Sequence, residues 1–306
     1  MKEFSYINWI QKQLTPPKEV FIPSGDDAAG VRIGNKSLLI TTDLIVENID
    51  FTLKEATPFQ IGYKSIAISI SDIAAMGGNC NKLYVVATVA LRKNLVRQFA
   101  KELFRGMKHI ADKFNVSIIG GDVSSVKGPI SITSTVFGIS DKSEHIRRSG
   151  ACVRDAIMVT GSLGGSILGK HLNFTPRLNE ARMLTKKYSI HSMIDISDGL
   201  SADLNHILER SKKGAVLLEQ LIPVSDSAKK LSKRDKKSAL EHALTDGEDF
   251  ELLFTLPLNH AWRILQDKPF AAPVSLIGII KKKQGIILIN KKGKNIKVNP
   301  KGFDHF

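Results

Sequence analysis

Aspartate recurs where strands would end or turn: Gly25-Asp26-Asp27, Thr41-Thr42-Asp43, Ser71-Asp72, Gly120-Gly121-Asp122 and Asp195-Ile196-Ser197-Asp198. Aspartate is disfavoured inside helices and strands, and any one of these is ordinary turn chemistry. Several in one chain, flanked by glycine, serine or threonine, point to a hard-cation site. Mg²⁺ takes oxygen ligands in a tight octahedron and bridges carboxylates to phosphates. A continuing strand puts Thr41 and Asp43 on one face, and the same spacing joins Asp195 to Ser197. Converging carboxylates repel one another as anions. In a chain of net charge +14, such a cluster implies cations bridging to an anionic ligand such as ATP.

The glycines fit that chemistry. Gly120-Gly121 lets backbone approach a phosphate closely. Gly161-Ser162-Leu163-Gly164-Gly165 resembles an anion-facing turn, without the lysine of a P-loop. Structural turn glycines explain it equally well. No H-E-x-x-H, G-x-S-x-G or C-x-x-C occurs, and the eight histidines show no metal spacing. Zinc hydrolysis and triad catalysis are therefore poorly supported.

The elements that must position these residues alternate. Strands are expected over 37–42, 83–91 (continuous and buried), 116–119 (running into Gly120-Gly121-Asp122) and 130–139. Helices are expected over 59–76, entered at Thr57-Pro58 and stopped by Gly77-Gly78, and over 94–114. Asp141 to Arg154 is polar and basic, and the domain boundary is placed there. The alternation then restarts with strands over 156–160, 193–196, 215–218, 250–256, 274–280 and 286–289. A glycine-rich turn over 161–169 enters a helix, and another helix carries Leu200, Leu204, Ile207 and Leu208 on one face. The lysine-dense stretch 229–237 reads as a solvated helix or loop face. Twice-repeated alternation argues for two α/β or α+β domains.

Composition agrees. With 306 residues, 42% hydrophobic and 24% charged, the chain can bury a sizeable core, and disorder, collagen and coiled coil are excluded. Cys80 and Cys152 cannot build a disulfide framework or a thiolate cage; they read as buried spectators in a reducing compartment. The N-terminal residues show no apolar signal core, and no apolar run approaches a spanning helix, so a cytoplasmic protein without membrane partners is expected.

In order along the chain, the blocks Gly25-Asp-Asp-Ala-Ala29, Thr41-Thr-Asp43, Ser71-Asp-Ile-Ala-Ala-Met-Gly77, Gly120-Gly-Asp122, Arg148-Ser-Gly150, Asp195-Ile-Ser-Asp-Gly-Leu200, Gly247-Glu-Asp-Phe-Glu-Leu252 and Lys301-Gly-Phe-Asp-His-Phe306 resemble the thiamine-monophosphate kinases. These are a branch of the aminoimidazole-ribonucleotide synthetase-like ATP-binding superfamily. The resemblance runs from near residue 25 to the C-terminus. It implies a mixed-sheet N-terminal domain (1–145) that binds ATP and Mg²⁺ and pairs with its copy in a homodimer. A C-terminal α/β domain (146–306) would complete the site. It also implies phosphoryl transfer from ATP to thiamine monophosphate, with several Mg²⁺ ions.

Position by position, Asp27, Thr41, Thr42, Asp43, Asp72, Asp122, Asp195 and Asp198 would ligate metal. Gly121, Asp122, Arg148 and Ser197 would touch ATP, and Asp50, Glu248 and Phe303 the acceptor. Asp50 stands where the family often has histidine, Val123 where it often has a hydroxyl, and Val153-Arg154 where it usually has proline-glycine. The acceptor is itself a phosphate, so no general base is assigned. Among sibling enzymes, a selenophosphate synthetase would need a reactive N-terminal cysteine, and a hydrogenase-maturation dehydratase a C-terminal one. The ring-closing synthetase is the nearer alternative. A nucleic-acid-binding protein would interleave aromatics with its lysines, and the lysine runs here contain none.

Overall fold

The structure, a computed structural model, describes residues 3–95, 97–141 and 145–303. The last three residues of the C-terminal block, Asp304 to Phe306, lie outside them.

Two sheets divide the strands. Helix α1 (Glu3–Gln13) leads into β1 (Val20–Ile22), β2 (Ala29–Ile33) and β3 (Lys36–Val46). Then come α2 (Pro58–Ala75), β4 (Lys82–Leu91), α3 (Gln98–Lys113), β5 (Val116–Ser125) and β6 (Ser131–Ser140). The first sheet has the order β1-β2-β3-β6-β4-β5; its only parallel pair among the described residues is β4 with β5. The second half supplies β7 (Ala156–Thr160), α4 (Lys170–Asn173), α5 (Leu178–Lys187), β8 (Ser192–Asp195), α6 (Leu200–Ser211) and β9 (Gly214–Leu218). It continues through α7 (Asp226–Leu231), α8 (Ala239–Thr245), β10 (Leu252–Leu256), α9 (Leu258–Asp267), β11 (Val274–Lys281), β12 (Gly285–Ile289) and β13 (Asn295–Val298). Its sheet runs β13-β12-β9-β11-β7-β10-β8.

Helix α2 positions the site. Thr57 and Gln60 close a reciprocal capping box and Pro58 opens the first turn, so its start is fixed. It ends where Gly77 and Gly78 take φ values of 93° and 65°. The helix is apolar on nearly every side because it lies between both halves. It packs on α3, β3 and β6 and on α4, α5 and β8. Its two charged residues, Lys64 and Asp72, are eight positions apart, about 12 Å along the helix axis and about 80° around it. Strand β7 is buried on both faces. Ala156 and Met158 join the core shared with α2, while Ile157 and Val159 join a second core under α6.

Several expectations change. Strand β4 alternates buried and half-buried residues instead of being buried throughout, because one face of the first sheet carries no helix. Strand β5 does not end at Gly120 but continues through Gly121 and Asp122 to Ser125. It is an edge strand, where glycine and a charged side chain are tolerated. The glycine-rich turn enters only the four-residue α4. Cys80 is buried as expected, but Cys152 is exposed. Stretch 229–237 is largely exposed, as expected for a solvated face. Among the described residues no helix is long and apolar enough to cross a membrane.

Candidate active site

Carboxylates from four segments meet beside the C-terminal half of α2. Oxygens of Asp27, Asp72 and Asp195 lie within 4.8 Å of one another. Asp27 comes from the turn before β2, Asp72 from α2 and Asp195 from the end of β8. Asp43, on β3, joins them in the same cavity of about 380 Å³. Hydroxyls aim the set. Ser69 Oγ donates to Asp43 at 2.6 Å, Ser71 Oγ to Asp195 at 2.6 Å, and Thr41 Oγ1 to Asp72. Thr41 and Asp43 thus share the α2-facing side of β3, as their spacing requires.

The cluster is electrostatically unsatisfied. Burial pushes Asp43 up to about 6 and Asp195 up to about 7, with the neighbouring Asp27 adding repulsion to both. Burial, then Asp43, Asp195 and Asp27, raises Asp72 well above the carboxylate range. Burial also raises Asp27, against the pull of Arg148. Asp27 Oδ2 is buried without a hydrogen-bond partner, as is Arg148 Nε, while Arg148 Nη2 holds Asp27 Oδ1 at 2.8 Å. An orphaned acceptor among converging carboxylates fits a cation, and an orphaned guanidinium donor fits an anion. These residues therefore suit Mg²⁺ with a phosphate.

A second cavity of about 660 Å³ opens from the first; Asp43, Ile68, Ser197, Asp198 and Phe250 line both. Asp50, Glu248 and Phe303 line the larger one. Phe303 is 47% exposed there, so it is not a core plug. Its amide donates to the Asp198 carbonyl at 3.1 Å. Asp50 Oδ2 accepts from the Val46 amide at 2.7 Å, which ties much of this carboxylate to the turn after β3.

Glu248 sits at φ 62°, and its amide donates to the Ser197 carbonyl at 2.6 Å. A non-glycine residue held in that region is strained, and such strain collects at functional sites. Its carboxylate pairs with Lys64.

Two motif residues do not join the cluster within one chain. Thr42 points to the opposite face of β3, where its hydroxyl meets Thr135 at 3.0 Å. Asp122 is exposed on β5. Pairing sets Asp43 level with Ser134, Ala87 and Gly121 in turn, so Gly121 is three strands away, about 14 Å. A Cβ on Gly121 would lie 2.0 Å from the Ala87 carbonyl oxygen, which excludes any side chain.

The sequence assigns no role to Lys64, Ser69 or His206, and none to Ser71 and Asp203 although both stand in the motif blocks. Lys64 is 1% exposed, and its Nζ also donates to the Asp50 carbonyl at 2.7 Å. Asp203 accepts from the amides of Asp198 and Gly199 at 3.1 and 3.0 Å and so shapes the Asp-Gly turn. Burial, with Arg148 and Arg210 nearby, lowers His206 to about 4, leaving a neutral imidazole on the cavity wall. The available signal was α2 itself, where Lys64, Ser69, Ser71 and Asp72 interrupt an otherwise apolar helix.

Fold and site define a nucleotide-binding class. The family model for AIR synthase related protein, N-terminal domain, matches residues 25–140. Thiamine-monophosphate kinase of Rhodopirellula baltica is 35% identical, covering 99% of this chain and 97% of the relative. That of Bacillus subtilis is 31% identical over 100% of both. A solved structure of AaThiL complexed with AMPPCP and TMP superposes with a TM-score of 0.84 at 30% identity, covering 100% of this chain and 97% of that one. A solved structure of a HypE-HypF complex, at 17% identity and TM-score 0.77 over 97% of this chain and 99% of that one, shares the fold. The chain belongs to the thiamine-monophosphate kinase family.

Proposed function

We propose that this cleft transfers the γ-phosphoryl group of ATP to thiamine monophosphate, giving thiamine diphosphate and ADP. The observation that carries the reading is the junction of two cavities. One is lined by unsatisfied carboxylates and Arg148, and the other by Glu248 and Phe303. Asp27, Asp43, Asp72 and Asp195 would hold Mg²⁺, with Asp198 and the backbone near Thr42 at the rim. Bound there, Mg²⁺ supplies charge neutralisation between two phosphates.

The chain's own groups do the rest. Arg148, steadied by Asp27, presents its free Nε–H to phosphate charge. Ser197 lies where the two cavities meet. Phe303 offers an aromatic face to a flat cationic ring, and Glu248 a carboxylate beside it. The acceptor phosphate is largely deprotonated near neutral pH, so proton abstraction is no barrier.

We further infer a homodimer. The helix-free face of the first sheet leaves Leu44 56% and Ile119 58% exposed, beside a β5 edge that pairs with no other strand among the described residues. Antiparallel-rich sheets with an apolar outer face pack on another sheet, and a second copy supplies one. Asp122, too far from its own cluster, then serves the partner's site. The two halves, 1–145 and 146–306, act as domains that close on the cleft. Two free cysteines suit the reducing cytoplasm.

The test is an ADP-release assay offering thiamine monophosphate, thiamine and formylglycinamidine ribonucleotide in parallel. Release with thiamine monophosphate alone is expected. Release only with formylglycinamidine ribonucleotide would mark the ring-closing enzyme instead.

A further inference from the structure

Cys152, Asp155 and His191 line neither cavity, yet the structure brings them together across 36 residues of sequence. Their sulfur, oxygen and nitrogen ligand atoms all lie within 4.8 Å of one another. His191 Nδ1 is 2.8 Å from Asp155 Oδ2, and that oxygen also accepts from the Cys152 amide at 2.7 Å. The thiol stands 3.4 Å from the Gly150 carbonyl.

The framework is firm. The Ile280 amide of β11 donates to the Asp155 carbonyl at 2.9 Å, and the His191 amide donates to the Thr255 carbonyl of β10 at 2.8 Å. Asp155 is buried, whereas Cys152 is exposed and the His191 side chain is 31% accessible, so one side faces water.

We propose that Cys152, Asp155 and His191 form a binding site for a zinc-class divalent ion, separate from the phosphate cleft. One sulfur, one nitrogen and one carboxylate oxygen are the donors Zn²⁺ takes in tetrahedral sites. Mg²⁺ demands oxygen and avoids sulfur, so the two kinds of ion sort between the two sites. On binding, the Cys152 thiol releases its proton to solvent and a metal–sulfur bond forms, with no change of oxidation state. Thiolate and carboxylate together balance the ion's charge. The solvent-facing side leaves a fourth position for water.

Co²⁺ is the probe, because a thiolate on Co²⁺ gives a charge-transfer band that oxygen ligands do not. The full chain is stripped of metal, saturated with Mg²⁺ to fill the carboxylate cleft, and titrated with Co²⁺. The expected result is a sulfur-to-cobalt band that saturates at one ion per chain and is erased by Zn²⁺. Cys152→Ser should abolish the band and leave ADP release with thiamine monophosphate unchanged. Cys80→Ala should keep it, and His191→Ala should weaken Co²⁺ binding at least about tenfold. A band that survives Cys152→Ser, or no band in the wild-type chain with Co²⁺ in excess, overturns the site.

Discussion

Asp27, Asp43, Asp72 and Asp195 sit where the first sheet, α2 and β8 meet, each held by a hydroxyl or a guanidinium. Asp122 carries the same sequence signature, yet stands exposed on an edge strand three strands away from that of Asp43. The first set is organised by one chain. The second has an orientation but no site of its own, and it shares the helix-free face with Thr42. A motif can therefore be complete in sequence while one of its members stands apart from the cluster the others form.

The largest effect should come from breaking the buried set. Asp72→Asn or Asp195→Asn should lower turnover by about 100-fold or more, as removal of other charge-stabilising groups does. The fold should survive, because each change relieves repulsion. Near-normal turnover of both variants at saturating Mg²⁺ would refute the cluster.

Next comes the other end of α2. Lys64→Met leaves Glu248 without its counter-ion and should raise KM for thiamine monophosphate at least about tenfold. KM for ATP should stay put. Equal rises in both constants would mean that Lys64 supports the whole cleft and not the acceptor end. Phe303→Ala should act in the same direction but less, roughly 2–30-fold, the worth of one cation–π contact. An unmoved constant would remove Phe303 from the acceptor site.

The smallest effect concerns stability against pH. Asp43 and Asp195 titrate near 6 and 7 in the folded chain, against an ordinary value of 3.8. The native state therefore holds more protons than the unfolded one between those values, and stability falls as pH rises through them. Without Mg²⁺, these groups should lower Tm by several degrees between pH 5 and 8, the effect of roughly 4 kcal/mol. Mg²⁺ should raise Tm more at pH 8 than at pH 5. Calorimetry at both values, with and without Mg²⁺, checks the sign.

Local pattern carried much of this. Thr57-Pro58 and Gly77-Gly78 bracket α2 within a residue or two of its observed ends, because capping and left-handed turns are local chemistry. The two-residue spacing of Thr41 and Asp43 was enough to put them on one face. The partners of Lys64 were not legible, since a lone lysine in an apolar helix marks a position but not what closes around it, here Asp50 and the Glu248 turn. The Asp155–His191 pair was hidden for the same reason: spacing along the chain does not say which loops the second sheet brings together. The spacing puts Asp122 at a strand end, but the strand continues, because β5 keeps its pairing with β4 through Gly121 and Asp122 to Ser125.

Mixing two inactive variants tests most directly whether the cleft is completed by a partner. Asp72→Asn and Asp122→Ala chains, each inactive alone, are unfolded and refolded together, and thiamine diphosphate formation is measured. If Asp122 serves the neighbouring cleft, each mixed dimer contains one site with both aspartates intact. Random pairing then restores about a quarter of wild-type activity. If mixed dimers form and no activity returns, Asp122 acts within its own chain, and the partner-completed site is wrong.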